Sequence, residues 1–282
     1  MDKLTNPDYD TITVTPVSPH IGAEVGGIDL REPLTNRQIE EVYQALLQHL
    51  VLFFREQDID FDAHSRFAAY FGELHVHVGG KGTASGMVEG HPEIRWQHFD
   101  ENSKRVSGET WHTDQSCAEV PPMGSILHQH IVPPDGGGDT LFASMYAAYD
   151  ALSPTMQSFL EPLTANHDGA IMFDPRPGVE YPRAVHPVIT THPGTGRKLI
   201  YVNPGFTTHI DELSRAESDA LLGFLFEHIA RPDFQLRFKW QAHSIAFWDN
   251  RASQHQAIWD YYPHTRSGYR IQIKGTEGPK PV

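Results

Sequence analysis

The sequence predicts a β-sandwich or jelly roll that carries a few helices. Many short runs of β-branched and aromatic residues, bounded by Gly and Pro, are typical of strands, whereas helical patterns are few. Short strands in such numbers must close into two packed sheets or a barrel. The chain has 282 residues and no repeat or low-complexity linker. We therefore expect one domain over residues 1–282.

The first part of the chain mixes strands and helices. Residues 11–27 alternate and carry β-branched residues, which predicts short strands broken by Pro and Gly. Thr35 is a candidate N-cap, and apolar residues follow it at helical spacing as far as Leu50. The apolar run 51–55 predicts a buried strand, and 61–71 predicts a second helix.

Strand patterns predominate further along. The predicted strands cover residues 93–97, 124–131, 139–143, 198–203, 234–240, 244–248 and 268–274. Helices are predicted over about 144–163 and over 214–229. Two stretches rich in Gly or Pro, about 76–92 and about 168–185, predict mobile loops, and the second is a candidate lid over a site.

Composition excludes several classes of protein. The chain has 22 Lys and Arg against 36 Asp and Glu, a net charge of −14, so we expect no nucleic-acid partner. The single cysteine, Cys117, excludes a disulfide framework and a Cys-based zinc or iron–sulfur site. No signal peptide is recognisable, and no apolar run reaches the roughly 18 residues that cross a bilayer. We therefore expect a cytoplasmic protein with no membrane partner.

The segment Trp111-His112-Thr113-Asp114 carries the first candidate chemistry. If it were a strand, His112 and Asp114 would point to one face. Two His and one carboxylate form the facial triad of non-haem Fe(II) oxygenases, which leaves positions open for substrates. The short motif alone is weak, because a chain with 18 His contains such pairs by chance. A His that is merely hydrogen-bonded at a strand end is the alternative.

A second polar group lies near the C-terminus. A buried-looking strand ends at Trp248, and His255, Arg266 and Arg270 follow it. Arginine suits a carboxylate or sulfonate, because its planar fork donates two parallel hydrogen bonds. The two arginines would share a face if their segment were helical, whereas on a strand they need not. Solvation at the surface is the alternative for either one.

Several segments follow one another in an order and spacing typical of one family. They are IGAEVGGIDLREPL, FFREQ, FGELHVH, WHTD, PPDGGGDTLFASMYAAYDALS, VHPVITTHPGTGRK, YVNPGFTTHI and WDNRASQH. Over nearly its whole length the chain resembles the taurine dioxygenase family (TauD/TfdA), which depends on Fe(II) and 2-oxoglutarate. The resemblance implies a mainly β fold with α insertions, the double-stranded β-helix or jelly roll of the clavaminate synthase-like type. It implies Fe(II) as cofactor, and 2-oxoglutarate and O2 as cosubstrates.

The resemblance also implies which residues bind the iron and the cosubstrate. His112, Asp114 and His255 match the Fe(II) ligands. Arg266 matches the residue that pairs with the distal carboxylate of 2-oxoglutarate. Thr140, in Gly137-Gly138-Asp139-Thr140, matches a residue whose hydroxyl binds the same carboxylate.

Four further residues match positions that contact the substrate in taurine dioxygenase. Arg270 matches the residue that holds the substrate anion, and His77 matches a sulfonate-contacting His. Phe173 and Phe206 match the aromatic walls of the pocket. Without the family, both phenylalanines would be expected as core or loop residues.

Three departures from taurine dioxygenase bear on the substrate. Gly80 stands where that enzyme carries a Tyr, Gly108 where it carries a substrate-contacting Asn, and Met172 where it carries a Ser. We expect a roomier pocket and a small anionic organic substrate, either taurine or a larger sulfonate or sulfate, oxidised next to its heteroatom. An aryloxyalkanoate, the herbicide-type substrate of another branch of the family, is the alternative.

Two other classes stay open. A cupin-type metal isomerase would use His75-x-His77 or His128-x-His130, but this interpretation ignores WHTD and the position of Arg266. A non-catalytic binding module of the same fold should lose a metal ligand, and here all three are present. By analogy with the family we expect a homo-oligomer, a dimer or a tetramer.

Overall fold

The computed structural model describes residues 8–76, 86–173, 178 and 180–282. Its strands are β1 (Thr13–Pro16), β2 (Ala23–Gly26), β3 (Val51–Phe54), β4 (Met87–Val88), β5 (His91–Phe99), β6 (Gly124–Ile131), β7 (Thr140–Ser144), β8 (Thr164–Asp168), β9 (Arg183–Pro187), β10 (Ile189–Thr191), β11 (Lys198–Ile200), β12 (Thr207–Ile210), β13 (Gln235–Phe238), β14 (Ser244–Asp249), β15 (Ser253–Ala257) and β16 (Arg266–Ile273). Its helices are α1 (Asn36–His49), α2 (Phe61–Ala69), α3 (Met145–Asp150), α4 (Pro154–Leu160), α5 (Gly169–Met172) and α6 (Arg215–Ile229).

Two sheets face each other across the centre of the molecule. The larger has eight strands in the order β1-β2-β3-β14-β6-β16-β5-β4, and the smaller has the order β13-β7-β15. Aromatic rings join them: Phe53 of β3 stacks on Phe238 of β13 at 3.8 Å between centroids, and Phe142 of β7 lies 5.8 Å from Trp248 of β14. Two sheets that pack face to face in this way form the expected jelly roll.

The larger sheet also packs against helices on its outer face. Along β3, Val51 and Phe53 enter the core between the sheets, whereas Leu52 and Phe54 enter a second core under α1 and α2. This division follows from strand geometry, because successive side chains point to opposite faces. The apolar run 51–55 does not alternate because both of its faces are buried. Since the two cores share one sheet, we propose that residues 1–282 form a single domain.

Local signals explain most helix boundaries. The Thr35 hydroxyl accepts the backbone N–H of Gln38 at 3.2 Å, and α1 ends at Leu50 with a left-handed φ of 65°. These are the predicted ends. The stretch predicted as one helix over about 144–163 is instead two, α3 and α4. The break falls before Pro154, because proline suits the first turn of a helix but cannot continue one.

The sequence patterns did not predict every strand and helix. The stretch 76–92, predicted as a loop, includes β4 and the start of β5, and 168–185 includes α5 and the start of β9. Residues 77–85, 174–177 and 179 lie outside the described part. The polar strand β15 (SQHQA) was not predicted at all, because its ladder with β7 fixes it rather than its own pattern. No helix within the described ranges is long and apolar enough to cross a membrane.

Buried histidines predict a loss of stability in acid. Burial lowers the pKa of His64 and His167 to about 3 and that of His49 and His128 to about 4. In the unfolded chain a histidine binds a proton near pH 6.5. Below that pH the unfolded state therefore binds more protons than the folded state, and the free energy of unfolding falls.

Urea unfolding at a series of pH values tests this expectation. The midpoint should fall steadily from about pH 7 to about pH 4.5, a window above the range where most carboxylates titrate. A His264→Gln variant, changed at a half-exposed histidine, should show the same slope as the wild type. A midpoint that stays constant across this window would show that the four buried histidines do not control acid stability.

Candidate active site

The structure brings His112, Asp114 and His255 together at the edge of the smaller sheet. Their ligand atoms lie within 4.8 Å of one another, and all three residues are buried. The Asp114 Oδ1 atom lies 3.6 Å from the Nε2 atom of each imidazole. Within the described ranges no other three His, Cys, Asp or Glu residues converge in this way. The sequence-predicted metal ligands therefore share one site.

The backbone places the three residues differently from the expected strand. His255 lies on β15, and His112 forms a single bridge to it, with reciprocal N–H to C=O bonds of 3.1 and 3.0 Å. The chain then turns at Asp114, so the two residues do not lie on one strand, and the turn rather than strand alternation brings their side chains together. Asn250 holds the turn: its Oδ1 accepts the N–H of Asp114 at 2.7 Å and its Nδ2 donates to the Asp114 carbonyl at 2.9 Å.

Neighbouring groups orient the ligand atoms. The His112 Nδ1–H donates to the Thr110 carbonyl at 2.7 Å, which leaves the Nε2 lone pair for a metal. The Ser125 hydroxyl donates to Oδ2 of Asp114 at 2.7 Å, and Arg270 forms an ion pair with the same oxygen. These two contacts turn Oδ1 of Asp114 toward the imidazoles.

The electrostatics of the site suit a divalent metal. Burial alone would raise the pKa of Asp114, but Arg270 and the two imidazoles hold it well below its usual value. Burial, with the neighbouring His112, lowers the pKa of His255 well below its usual value. An ionised carboxylate and a neutral imidazole are the forms that bind metals. Two imidazoles and a carboxylate fit Fe(II) by donor type and number.

Arg266 and Thr140 also lie close together, on the two facing sheets. The Arg266 Nε–H donates to the Gly138 carbonyl at 3.0 Å, and its guanidinium lies 5.5 Å from the Trp240 ring centre. Trp240 Nε1 donates to the Thr140 hydroxyl oxygen at 3.0 Å, so the hydroxyl hydrogen is left to donate elsewhere. The arrangement presents a cation and a hydroxyl donor to the same space. Such a pair suits a carboxylate.

Gly138 permits this close approach. Its φ is +81°, and a Cβ at this position would lie 2.9 Å from Cδ of Arg266. Any side chain here would displace the guanidinium.

Both arginines lie on β16 and share one face. Arg270 is four positions after Arg266, and side chains on a strand return to the same face every two positions. The sequence left this open for a strand, and here both arginines lie on the same strand at positions of equal parity. Gly268 lies between them on the strand, and a Cβ there would lie 2.6 Å from Oε1 of Gln129, so the Gln129 side chain reaches the space beside this glycine.

The predicted aromatic walls stand beside a metal ligand. Phe173 and Phe206 meet edge to face at 5.7 Å between ring centroids, and Phe206 lies 6.5 Å from the His112 ring. The fourth predicted substrate residue, His77, lies outside the described residues, as does Gly80.

The other two departures from taurine dioxygenase, Gly108 and Met172, lie near His112. Gly108 has a φ of +84°, and a Cβ there would lie 2.9 Å from Cε1 of His112. A Cβ on Gly205 would lie 2.7 Å from both the His112 Cβ and the Met172 methyl group. Gly108 therefore lies against the imidazole of His112, and the Met172 methyl group lies beside Gly205, near the Cβ atom of the same histidine.

The rival histidine motifs do not build a second centre in the described part of the chain. His128 lies on the outer face of the larger sheet, 6.1 Å from the His64 ring and 5.8 Å from the His243 ring. Neither His128 nor His130 belongs to a group of three converging ligands. This geometry disfavours the cupin-type interpretation.

Sequence reasoning missed the residues that support the site. Ser125, Asn250 and Trp240 each fix a predicted site residue by a hydrogen bond. Asn250 lies in WDNR at the end of a buried strand, and this position could have indicated a site residue from the sequence. Ser125 and Trp240 looked like ordinary strand residues, because only the folded sheets bring them to the site.

Comparisons with known proteins agree with this geometry. The model of a family described as taurine catabolism dioxygenase TauD, TfdA family matches residues 13–272. The crystal structure of a taurine dioxygenase from Burkholderia xenovorans is similar, with a TM-score of 0.84 and 38% identity. The match covers 96% of this chain and 91% of that one.

Relatives with different substrates in their names are similar to almost the same degree. A sulfonate dioxygenase of Saccharomyces cerevisiae is 35% identical over 92% of this chain and 66% of its own length. A sulfate ester dioxygenase of Pseudomonas putida is 31% identical over 96% and 92%. A 2,4-dichlorophenoxyacetate dioxygenase of Cupriavidus pinatubonensis is 30% identical over 87% and 92%. All three are named as alpha-ketoglutarate-dependent.

Proposed function

Because this chain belongs to the taurine catabolism dioxygenase family (TauD, TfdA), we propose that it oxidises a small organic sulfonate or sulfate ester and thereby cleaves it. The protein is an Fe(II)- and 2-oxoglutarate-dependent dioxygenase, an oxidoreductase of the jelly-roll fold. The observation that carries the substrate proposal is the position of Arg270, a cation whose side chain is only 13% exposed and which forms an ion pair with Asp114 in the cluster of metal ligands.

In this proposal His112, Asp114 and His255 hold the iron. Bound Fe(II), with 2-oxoglutarate and O2, supplies the oxidative decarboxylation to succinate and CO2 and the removal of hydrogen from the substrate carbon. The three ligands occupy one side of the site, which leaves the other side for the two cosubstrates. The hydrogen bonds from Ser125 and to Thr110 keep two of the ligands in place before anything binds.

Arg266 and Thr140 are proposed to hold the distal carboxylate of 2-oxoglutarate. Arg266 is only 6% exposed, so few water molecules reach its guanidinium. A dry guanidinium forms strong charge-assisted hydrogen bonds to a carboxylate. The Thr140 hydroxyl oxygen accepts a hydrogen bond from Trp240, so its own hydrogen can donate to the same carboxylate.

Arg270 is proposed to hold the substrate anion. Its Nε–H is buried and has no hydrogen-bond partner among the described residues. A buried donor in this state is costly unless a ligand satisfies it. Phe173 and Phe206 would line the apolar part of the substrate, and we carry over His77 as a further sulfonate contact from the family alone. Fixing the anion places one C–H bond toward the metal ligands.

Hydroxylation next to the heteroatom explains the cleavage. Adding a hydroxyl group to the carbon that bears sulfur gives an unstable adduct, which splits to an aldehyde and sulfite. From a sulfate ester the products are an aldehyde and sulfate. One O2 provides one oxygen atom to succinate and one to the substrate.

The partners, the localisation and the oligomeric state are also proposals. The net charge of −14 supports the absence of a nucleic-acid partner. We also propose, by analogy with the family, a cytoplasmic homo-oligomer with no membrane partner.

Succinate formation across a substrate panel tests the proposal. The Fe(II)-loaded protein is given 2-oxoglutarate with taurine, hexane-1-sulfonate, hexyl sulfate or 2,4-dichlorophenoxyacetate. We expect the largest rise over the substrate-free rate with the two hexyl compounds, because Gly108 and Met172 replace polar contacts of taurine dioxygenase. A rise with the aryloxy acid alone would establish the alternative substrate class. A rise with taurine alone would show that the pocket is not widened.

A further inference from the structure

A second arginine stands directly opposite Arg270. In the antiparallel ladder between β5 and β16, Arg95 is the cross-strand partner of Arg270. Side chains of such a pair point to the same face, with Cβ atoms about 4.5–5.5 Å apart. Arg270 points toward the metal ligands, since it pairs with Asp114 and lies 5.4 Å from the Trp248 ring centre. Arg95 therefore projects from the same face of the sheet.

The neighbours on β5 agree with this orientation. Trp96, the next residue, donates from Nε1 to the Ser267 hydroxyl at 2.9 Å, and this pair belongs to the other face of the sheet. Phe99 lies opposite Arg266 and belongs to the same face as Arg95, because their spacing is even. The face that carries the two site arginines of β16 thus continues across β5.

The two guanidiniums concentrate positive charge beside the metal centre. Burial and the nearby Arg270 lower the pKa of Arg95, and Asp114 opposes this effect. Like charges placed directly opposite in a sheet are destabilising. Asp114 is also the carboxylate that binds the metal, and a divalent ion would add positive charge. An anionic ligand at this point would therefore relieve repulsion between groups that the fold holds together.

We propose that Arg95 and Arg270 hold the substrate's anionic group between them, and that the pair selects a group with three acceptor oxygens over a carboxylate. A carboxylate has two oxygens in one plane, and a single guanidinium fork satisfies both. A tetrahedral sulfonate or sulfate offers three oxygens in different directions, so two guanidiniums can donate to it at once. The inference rests on the proposed function and makes its substrate class more specific.

Calorimetric titration without O2 tests the inference on the protein loaded with Mn(II) and 2-oxoglutarate. The probes are hexane-1-sulfonate and heptanoate, which carry the same six-carbon alkyl chain and differ only in the anionic group. We expect the wild type to bind the sulfonate about tenfold more tightly or better. Arg95→Met should weaken sulfonate binding by about tenfold or more and heptanoate binding by less than about threefold. Arg95→Lys, which keeps the charge but not the fork, should fall between the two.

A matched control is Arg215→Met, which removes an exposed arginine of α6 that pairs with Asp219. It should bind both probes like the wild type. Sulfonate binding that is equally tight in the wild type, Arg95→Met and Arg95→Lys would overturn the role of Arg95. Turnover is measured separately with O2 and Fe(II). Arg95-dependent sulfonate binding without turnover would refute the proposed function alone, whereas turnover with an unchanged KM in Arg95→Met would refute the role of Arg95 alone.

Discussion

The His255→Ala variant is expected to retain no Fe(II) after desalting and to form no succinate. Removing one of three protein ligands leaves a weak two-point site, and even losing a residue that only orients a ligand typically costs about 10–100-fold in metal affinity. Iron content, measured after desalting, and succinate formation are the two readouts. A fully active His255→Ala variant would show that this residue is not a metal ligand.

Stability must be separated from metal binding in this test. The His255 ring packs 4.8 Å from the Trp248 ring and 6.1 Å from the Phe142 ring, so truncation leaves a cavity. His255→Gln keeps more of the volume and should fold like the wild type, yet it should also fail to hold iron. His264→Ala, changed at a half-exposed histidine, should keep full iron content and activity.

The Arg266→Ala variant is expected to need about 100-fold more 2-oxoglutarate, or more, for half-maximal rate. Hydrogen bonds to charged groups contribute about 1.5–3 kcal/mol each, and two of them account for this factor. Fe(II) binding should change little, because the Arg266 Nε–H donates to the Gly138 carbonyl and not to a metal ligand. The KM for 2-oxoglutarate and anaerobic iron titration measure the two effects.

Two further variants sharpen the result. Arg266→Lys should recover only part of the affinity, because an ammonium group cannot donate a parallel pair of hydrogen bonds. Thr140→Val keeps the shape and removes the hydroxyl donor, so its effect should be smaller but in the same direction. An unchanged 2-oxoglutarate KM in Arg266→Ala would mean that the carboxylate binds elsewhere.

The sequence predicted which residues form the site better than it predicted the strands that carry them. WHTD, His255 and the two arginines of β16 could be read directly, because a metal and an anion require those side chains. The strand that carries His255 could not, because SQHQA has no apolar alternation and forms only where β7 offers a ladder. Strand pairing between distant segments is not encoded in local patterns.

The same limit applies to Arg95. No motif near Arg95 in the sequence indicates a site. In an acidic protein a single arginine is most simply interpreted as a solvated surface residue. Its relation to Arg270 follows only from the register of β5 against β16. Fold class was easier to predict, since short strands and early helices leave few ways to bury both faces of a large sheet.

Sulfite release from hexane-1-sulfonate, measured against succinate in the same reaction, tests the central claim most directly. If the site oxidises the carbon next to sulfur, each succinate formed above the substrate-free rate is accompanied by one sulfite. Succinate formed at a substrate-stimulated rate without sulfite would place the oxidation at another carbon and contradict the proposed cleavage.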